Sequence, residues 1–310
     1  MRALSLAIAL SAAPALADVP NVVADIGPVQ GLAARVMDGV GTPDVLIRAG
    51  SSPHSYALRP SEAAALERAD VVFWVGHGLT PWLEEPVAQL AGAAAVVELS
   101  QAAGTVRLPF REIAEEDDHG DHDDHAGDHD EDHDGHDHAG EDPHLWLAPD
   151  NAALWLDVIA AELSRIDPDN AATYRANADA GRAEIAAALT GARAALAPLT
   201  DHPYLVFHDA YQYFEGAVGL APVAALALPD ASAPSAARLA EVRDTVIDTG
   251  VVCAFAEPQF NTDLLETAIE GTGARIGVLD PLGSDIPAGP GFYPAFLDRL
   301  ASDMAACLRQ

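Results

Sequence analysis

Short apolar runs and longer amphipathic stretches alternate along this chain. Runs at 21–26, 44–48, 71–75 and 95–99 are too short for buried helices and are punctuated by Gly, Pro and Asp, so they predict β-strands. The stretches between them, 29–37, 60–68 and 81–90, carry helical spacing, and Pro60 and Pro81 stand in first helical turns, where proline is tolerated. Two further helices are predicted over 149–166 and 168–196, separated at Asp167-Pro168. The second is Ala-rich and longer than an ordinary globular helix, which suits a rigid spine. The alternation then resumes. Strands are predicted at 204–207, 222–227, 252–256 and 275–279, and helices near 210–218, 234–249, 262–270 and 293–308. Gly250 stands at a helix C′ position.

Strand and helix in turn predict an α/β fold with mainly parallel sheets. The expected architecture is two lobes, each a sheet of about four strands flanked by helices, joined by the spine helix, with a metal cleft between them. No sequence repeat links the two halves. The first residues, MRALSLAIALSAAPALA, combine an early Arg, a short apolar stretch and small residues at Ala15 and Ala17. They read as a signal peptide over 1–17, cleaved after Ala17, and predict an exported, periplasmic protein. The expected division is then 18–166 for the N-terminal lobe, 167–198 for the linking spine and 199–310 for the C-terminal lobe.

One segment breaks the pattern. From His119 to His138 the chain reads HGDHDDHAGDHDEDHDGHDH, with His119, His122, His125, His129, His133, His136 and His138 set among carboxylates. It has no apolar residue larger than Ala, so nothing offsets the entropy of ordering it. The enclosing run, 115–142, holds 15 Asp and Glu and no Arg or Lys. Such a composition predicts a disordered loop with auxiliary metal sites that captures, stores or senses metal ions. A merely solvated acidic linker would not need seven interleaved histidines.

Formal net charge is −32, and the chain stays acidic when that run is set aside. Acidity of this size excludes nucleic acid as a partner and argues against anionic membrane surfaces. Cys253 and Cys307 are the only cysteines. In an exported chain they fit one disulfide, with a pair of thiolate metal ligands as the alternative.

Five histidines lie outside the run: His54, His77, His144, His202 and His208. His54 follows the second predicted strand, His208 ends the fifth, and Asp280 ends the eighth. In open α/β sheets ligands sit beyond the carboxyl ends of strands. His144 stands where the acidic run re-enters the fold, just before a helix. Three imidazoles and a carboxylate suit four-coordinate Zn²⁺. Each residue also has a plain reading: His54 as a polar loop residue, His208 as a core histidine with a hydrogen-bond partner, Asp280 as a turn cap before Pro281. His77 lies between glycines, where it could line the cleft, and His202 precedes Pro203 in an exposed turn.

The blocks HSYALRPSE at His54, DPHLWLAPD at His144, VFHDAYQYF at His208, CAFAEPQF at Cys253 and VLDPLG at Asp280 occur in an order that resembles one family. This is the ZnuA group, the zinc-specific substrate-binding proteins of bacterial ABC importers. The resemblance covers essentially the whole mature chain. It implies that His54, His144 and His208 are metal ligands, that Asp280, with water or a loop histidine as alternatives, completes the site, and that Cys253 pairs with Cys307. Pro53 stands where some members carry a glutamate, which removes that alternative donor. The resemblance further implies a monomeric receptor, not an enzyme, whose cargo is Zn²⁺. Its partners would be a membrane permease with its ATPase and, further, periplasmic zinc chaperones. A zinc hydrolase is the rival class, but no HExxH pair is present. A stand-alone periplasmic zinc buffer or chaperone is the other.

Overall fold

The computed structural model describes residues 19–111, 140–227, 232 and 234–309. The leader and the seven histidines of the acidic run lie outside the described residues. Among the described residues, eight strands form two parallel sheets of four. The first holds β1 (Val22–Ala24), β2 (Asp44–Val45), β3 (Val71–Trp74) and β4 (Ala95–Glu98), in the order β2-β1-β3-β4. The second holds β5 (Tyr204–His208), β6 (Ala224–Ala227), β7 (Cys253–Ala256) and β8 (Arg275–Val278), in the order β6-β5-β7-β8. The two halves therefore share one topology without sharing sequence. The central strands β1, β3, β5 and β7 are buried throughout, as unbroken apolar runs in parallel sheets should be.

Helices α1 (Gly27–Val36), α2 (Pro60–Arg68) and α3 (Glu84–Leu90) serve the first sheet. The second is served by α6 (Gln212–Val218), α7 (Ala236–Thr249), α8 (Asp263–Ile269) and α9 (Phe292–Leu308). Between the sheets run α4 (Pro149–Ile166) and the 26-residue α5 (Ala171–Leu196), the expected spine. It begins three residues later than predicted, because Pro168–Asn170 forms a 3₁₀ turn. Asp167 steadies that turn by accepting from Tyr174 Oη at 2.7 Å and Asn170 Nδ2 at 2.7 Å. Buried residues Tyr174, Ala178, Gly181, Ile185, Ala188 and Ala192 recur along α5 at helical spacing. At Gly181 a Cβ would meet Leu156 Cδ1 at 2.8 Å, so glycine lets α5 close on α4.

Strand β2 is shorter than its apolar run. Leu46 and Ile47 still donate to the carbonyls of Ala24 and Asp25, but the chain bends there and turns both side chains into the core. The hydrophobic core is continuous across the molecule. It runs from Val23 and Phe73 in the first sheet through Trp155 and Leu196 to Tyr204, Val206 and Phe255 on the inner face of the second. A separate, smaller core covers the outer face, from Leu205 and Phe207 to Val242 and Leu265. A shared core of this kind resists wide rotation of one lobe against the other.

Cys253 and Cys307 are joined as a disulfide between β7 and α9, with their Cα atoms 5.9 Å apart. Gly277 on β8 leaves room for it, since a Cβ there would lie 3.0 Å from Cys307 Sγ. The bridge closes a loop with a sequence separation of 54. The chain-entropy model then predicts that Cys253→Ser with Cys307→Ser lowers unfolding free energy by about 4 kcal/mol. Urea unfolding of metal-free protein measures this, and a loss below about 1 kcal/mol would contradict the prediction.

Candidate metal centre

Three histidines converge between the lobes, each held from behind. His54 lies in the loop after β2, and Trp82 Nε1 fixes that loop by donating to the Pro53 carbonyl at 2.8 Å. His144 caps a 3₁₀ turn, Leu145–Leu147, where Trp146 Nε1 reaches across to the Pro281 carbonyl at 2.7 Å. His208 ends β5, at the carboxyl end where the strand order of the second sheet reverses. His144 and His208 are 1% and 2% exposed, and His54 is half-buried at the mouth. The ligand atoms of all three lie within 4.8 Å of one another, the only such cluster among the described residues.

Hydrogen bonding decides what these rings present to the centre. His144 Nδ1 sits 2.6 Å from Asp142 Oδ1, and His208 Nδ1 sits 2.7 Å from Glu257 Oε1. A carboxylate can only accept, so each Nδ1 carries a proton, and each ring in its neutral form then keeps a lone pair on Nε2. Those two Nε2 atoms face each other at 3.0 Å, and His54 Nε2 is 3.3 Å from that of His144. Lone pairs at this separation repel unless a metal ion or a proton on one of the two nitrogens lies between them. Zn–N bonds of about 2.0–2.1 Å in a tetrahedron place neighbouring nitrogens about 3.3–3.4 Å apart. The spacing therefore fits a small tetrahedral ion.

Charge is balanced from outside the ring of ligands. Burial, helped by the two neighbouring imidazoles, pushes the His54 pKa down to about 2, so that ring is neutral and ready to donate. Burial also opposes charge on His208, but the Glu257 carboxylate outweighs it and moves that imidazole up. Asp142 and Glu257 place two buried acids behind the centre, which matches a divalent cation.

Asp280 stands apart from the cluster. Its Oδ1 accepts from Leu282 N and Gln259 Nε2, both at 2.9 Å, and its Oδ2 accepts from Ser284 N at 2.6 Å. These bonds hold the turn after β8, and Oδ2, with Ser284 N as its one partner, keeps a lone pair. His77 is also elsewhere, exposed and paired with Glu84 at 2.8 Å. His202 remains outside the cluster in its loop. Asp142 and Glu257 were not singled out as site residues from the sequence. The signal was present: Asp142 lies two residues before His144, and Glu257 sits within CAFAEPQF.

Two matched parallel α/β halves, a spine helix and a three-imidazole centre between them define a metal-binding receptor of the two-lobed type. A family model described as "Zinc-uptake complex component A periplasmic" matches residues 22–307, and the chain belongs to this ZnuA family. The "High-affinity zinc uptake system protein ZnuA" of Paracoccus denitrificans is 42% identical over 329 aligned positions, covering 98% of this chain and 97% of the relative. The protein of the same description from Brucella abortus is 40% identical, covering 93% and 91%. Among solved structures, "Crystal structure of ZnuA" matches with a TM-score of 0.76 at 24% identity, over 94% of this chain and all of the other. The "Periplasmic zinc binding protein TroA" from Treponema pallidum matches with a TM-score of 0.78 at 20% identity, over 94% and 99%. The last two similarities speak for the fold.

Proposed function

We propose that this chain is a periplasmic zinc receptor that binds Zn²⁺ in the cleft and delivers it to the permease and ATPase of an ABC importer. The single observation that carries this reading is the trio of inward-facing Nε2 atoms, two of them locked as lone-pair donors by buried carboxylates. Nitrogen donors favour zinc over manganese, which prefers oxygen. His54, His144 and His208 hold the ion, and Asp280 at the end of the second sheet's last strand is the proposed fourth donor. Binding rather than catalysis is the role, with zinc as cargo. The relatives described as zinc uptake proteins support it. Export depends on the leader at 1–17, the lobes divide at 166 and 198, and the receptor works as a monomer that can also receive zinc from periplasmic chaperones. No helix among the described residues is long and apolar enough to cross a membrane.

Calorimetric zinc titration of the mature protein against a competing chelator tests this, with one tight site expected and its absence refuting the reading. The histidines at 119–138 are proposed as weaker, auxiliary sites. Asp142 belongs to the fixed centre, so a deletion that tests them must stop before it. Removing 115–139 is expected to lower total zinc stoichiometry while the tight site keeps its affinity. Loss of the tight site in that variant would place it in the run instead.

A further inference from the structure

His144 and His208 come from different parts of the chain, yet their Nε2 atoms are only 3.0 Å apart. Something must set that distance. The buried carboxylate of Asp142 touches both sides of the cleft. Its Oδ1 accepts from the backbone N and the Nδ1 of His144, at 2.9 and 2.6 Å. Its Oδ2 accepts from Gln212 Nε2 at 2.6 Å. Gln212 opens helix α6, four residues after His208. The Gln212 amide has no freedom to turn over, because its nitrogen also donates to the Pro109 carbonyl at 3.0 Å and both partners are acceptors. The next residue, Tyr213, donates from its hydroxyl to the Asp142 carbonyl at 3.0 Å and accepts from Leu108 N at 2.9 Å. The segment that carries His144 is thus bolted to the helix behind His208 by side chains that never reach the metal.

We propose that the Asp142–Gln212 pair is a strut that fixes the His144–His208 separation and thereby fits the centre to zinc rather than to larger divalent ions. The inference rests on the zinc-receptor reading above. A short, rigid spacing between nitrogen donors favours short metal–nitrogen bonds. A larger ion of the same closed-shell type, cadmium, must push the two rings apart, and the strut opposes this. Asp142 and Gln212 are positioning residues. Their effect should appear in selectivity as well as in affinity.

Gln212→Leu keeps bulk in a partly buried place and removes the donor. Zinc and cadmium affinities of the full mature chain are compared by chelator competition, and bound Co²⁺ is read by its visible absorption. The expected result is a loss of about tenfold for zinc, within the range of outer-shell changes, with cadmium unchanged. The zinc-to-cadmium ratio then falls about tenfold, and the intense tetrahedral Co²⁺ bands weaken. Asp142→Asn, which retains shape, is expected to lower the same ratio. Equal losses for both ions, or an unchanged ratio in both variants, would overturn the strut. If wild-type protein itself shows no tight zinc site, the receptor reading fails. A tight wild-type site with unaltered selectivity in the variants sinks the strut alone.

Discussion

His208→Ala is expected to lose tight zinc binding, by more than about a hundredfold in affinity. Structural zinc sites with four donors bind with about 10–16 kcal/mol, which is roughly 3 kcal/mol for each donor, and 1.4 kcal/mol is a factor of ten. The change should also cost stability, because His208 does two things. It donates Nε2 to the centre, and its Nδ1–H satisfies Glu257 Oε1 at 2.7 Å. Glu257 is buried, and its Oε2 has no other hydrogen-bond partner. Removing the imidazole takes this partner from a buried carboxylate, at about 1–3 kcal/mol of stability. The two effects separate in a second variant. His208→Ala with Glu257→Gln should recover much of the metal-free stability and none of the zinc affinity. Chelator-competition calorimetry and urea unfolding read the two quantities independently. A tight site that persists in His208→Ala would show that the cleft is not the binder and that the histidines of 119–138 are.

The fold was legible in the sequence because parallel α/β architecture writes itself twice. The apolar runs give the strands, and proline, glycine and amphipathic spacing give the helices between them. Both four-stranded sheets and the spine lie where the pattern puts them, with small shifts where Pro168 forms a 3₁₀ turn and where β2 bends after Val45. The shared topology was not legible, since strand order depends on long-range pairing that leaves no local trace. The three histidines were legible from strand-end placement and from the family blocks, and the structure gathers them. The carboxylates behind them were not. A glutamate four residues after Cys253 looks like any polar residue until β5 and β7 pair and bring it against His208. Asp280 shows the converse. A carboxylate at a strand end reads as a ligand, but the sequence did not show that two backbone N–H groups of its own loop and Gln259 Nε2 would also bond it.

Arg111→Met is expected to lower unfolding free energy by about 3–5 kcal/mol, the range for removing one partner of a buried ion pair. Arg111 is the last described residue before the acidic run, and its guanidinium crosses to the second sheet. Its Nε donates to Asp209 Oδ1 at 2.8 Å, and its Nη1 lies 2.7 Å from Glu215 Oε2. Both acids are buried, with side chains 5% and 1% exposed, and Tyr204 Oη completes the cluster by donating to Glu215 Oε1 at 2.8 Å. Burial pushes the Glu215 carboxyl up to about 7 even with the guanidinium pulling it down. Methionine fills the space of the aliphatic stem and supplies no charge, so Glu215 must either ionise unpaired or take up a proton. Its folded pKa then rises further above the unfolded value. The folded variant holds a proton that the unfolded chain has released, and its stability falls as pH climbs through the neutral range. The destabilisation should therefore be larger at pH 8 than at pH 6. Urea unfolding of the metal-free wild type and variant at the two pH values measures it. A loss under about 1 kcal/mol at both would mean that water already screens this cluster and that Arg111 is not what binds the base of the acidic run to the second lobe.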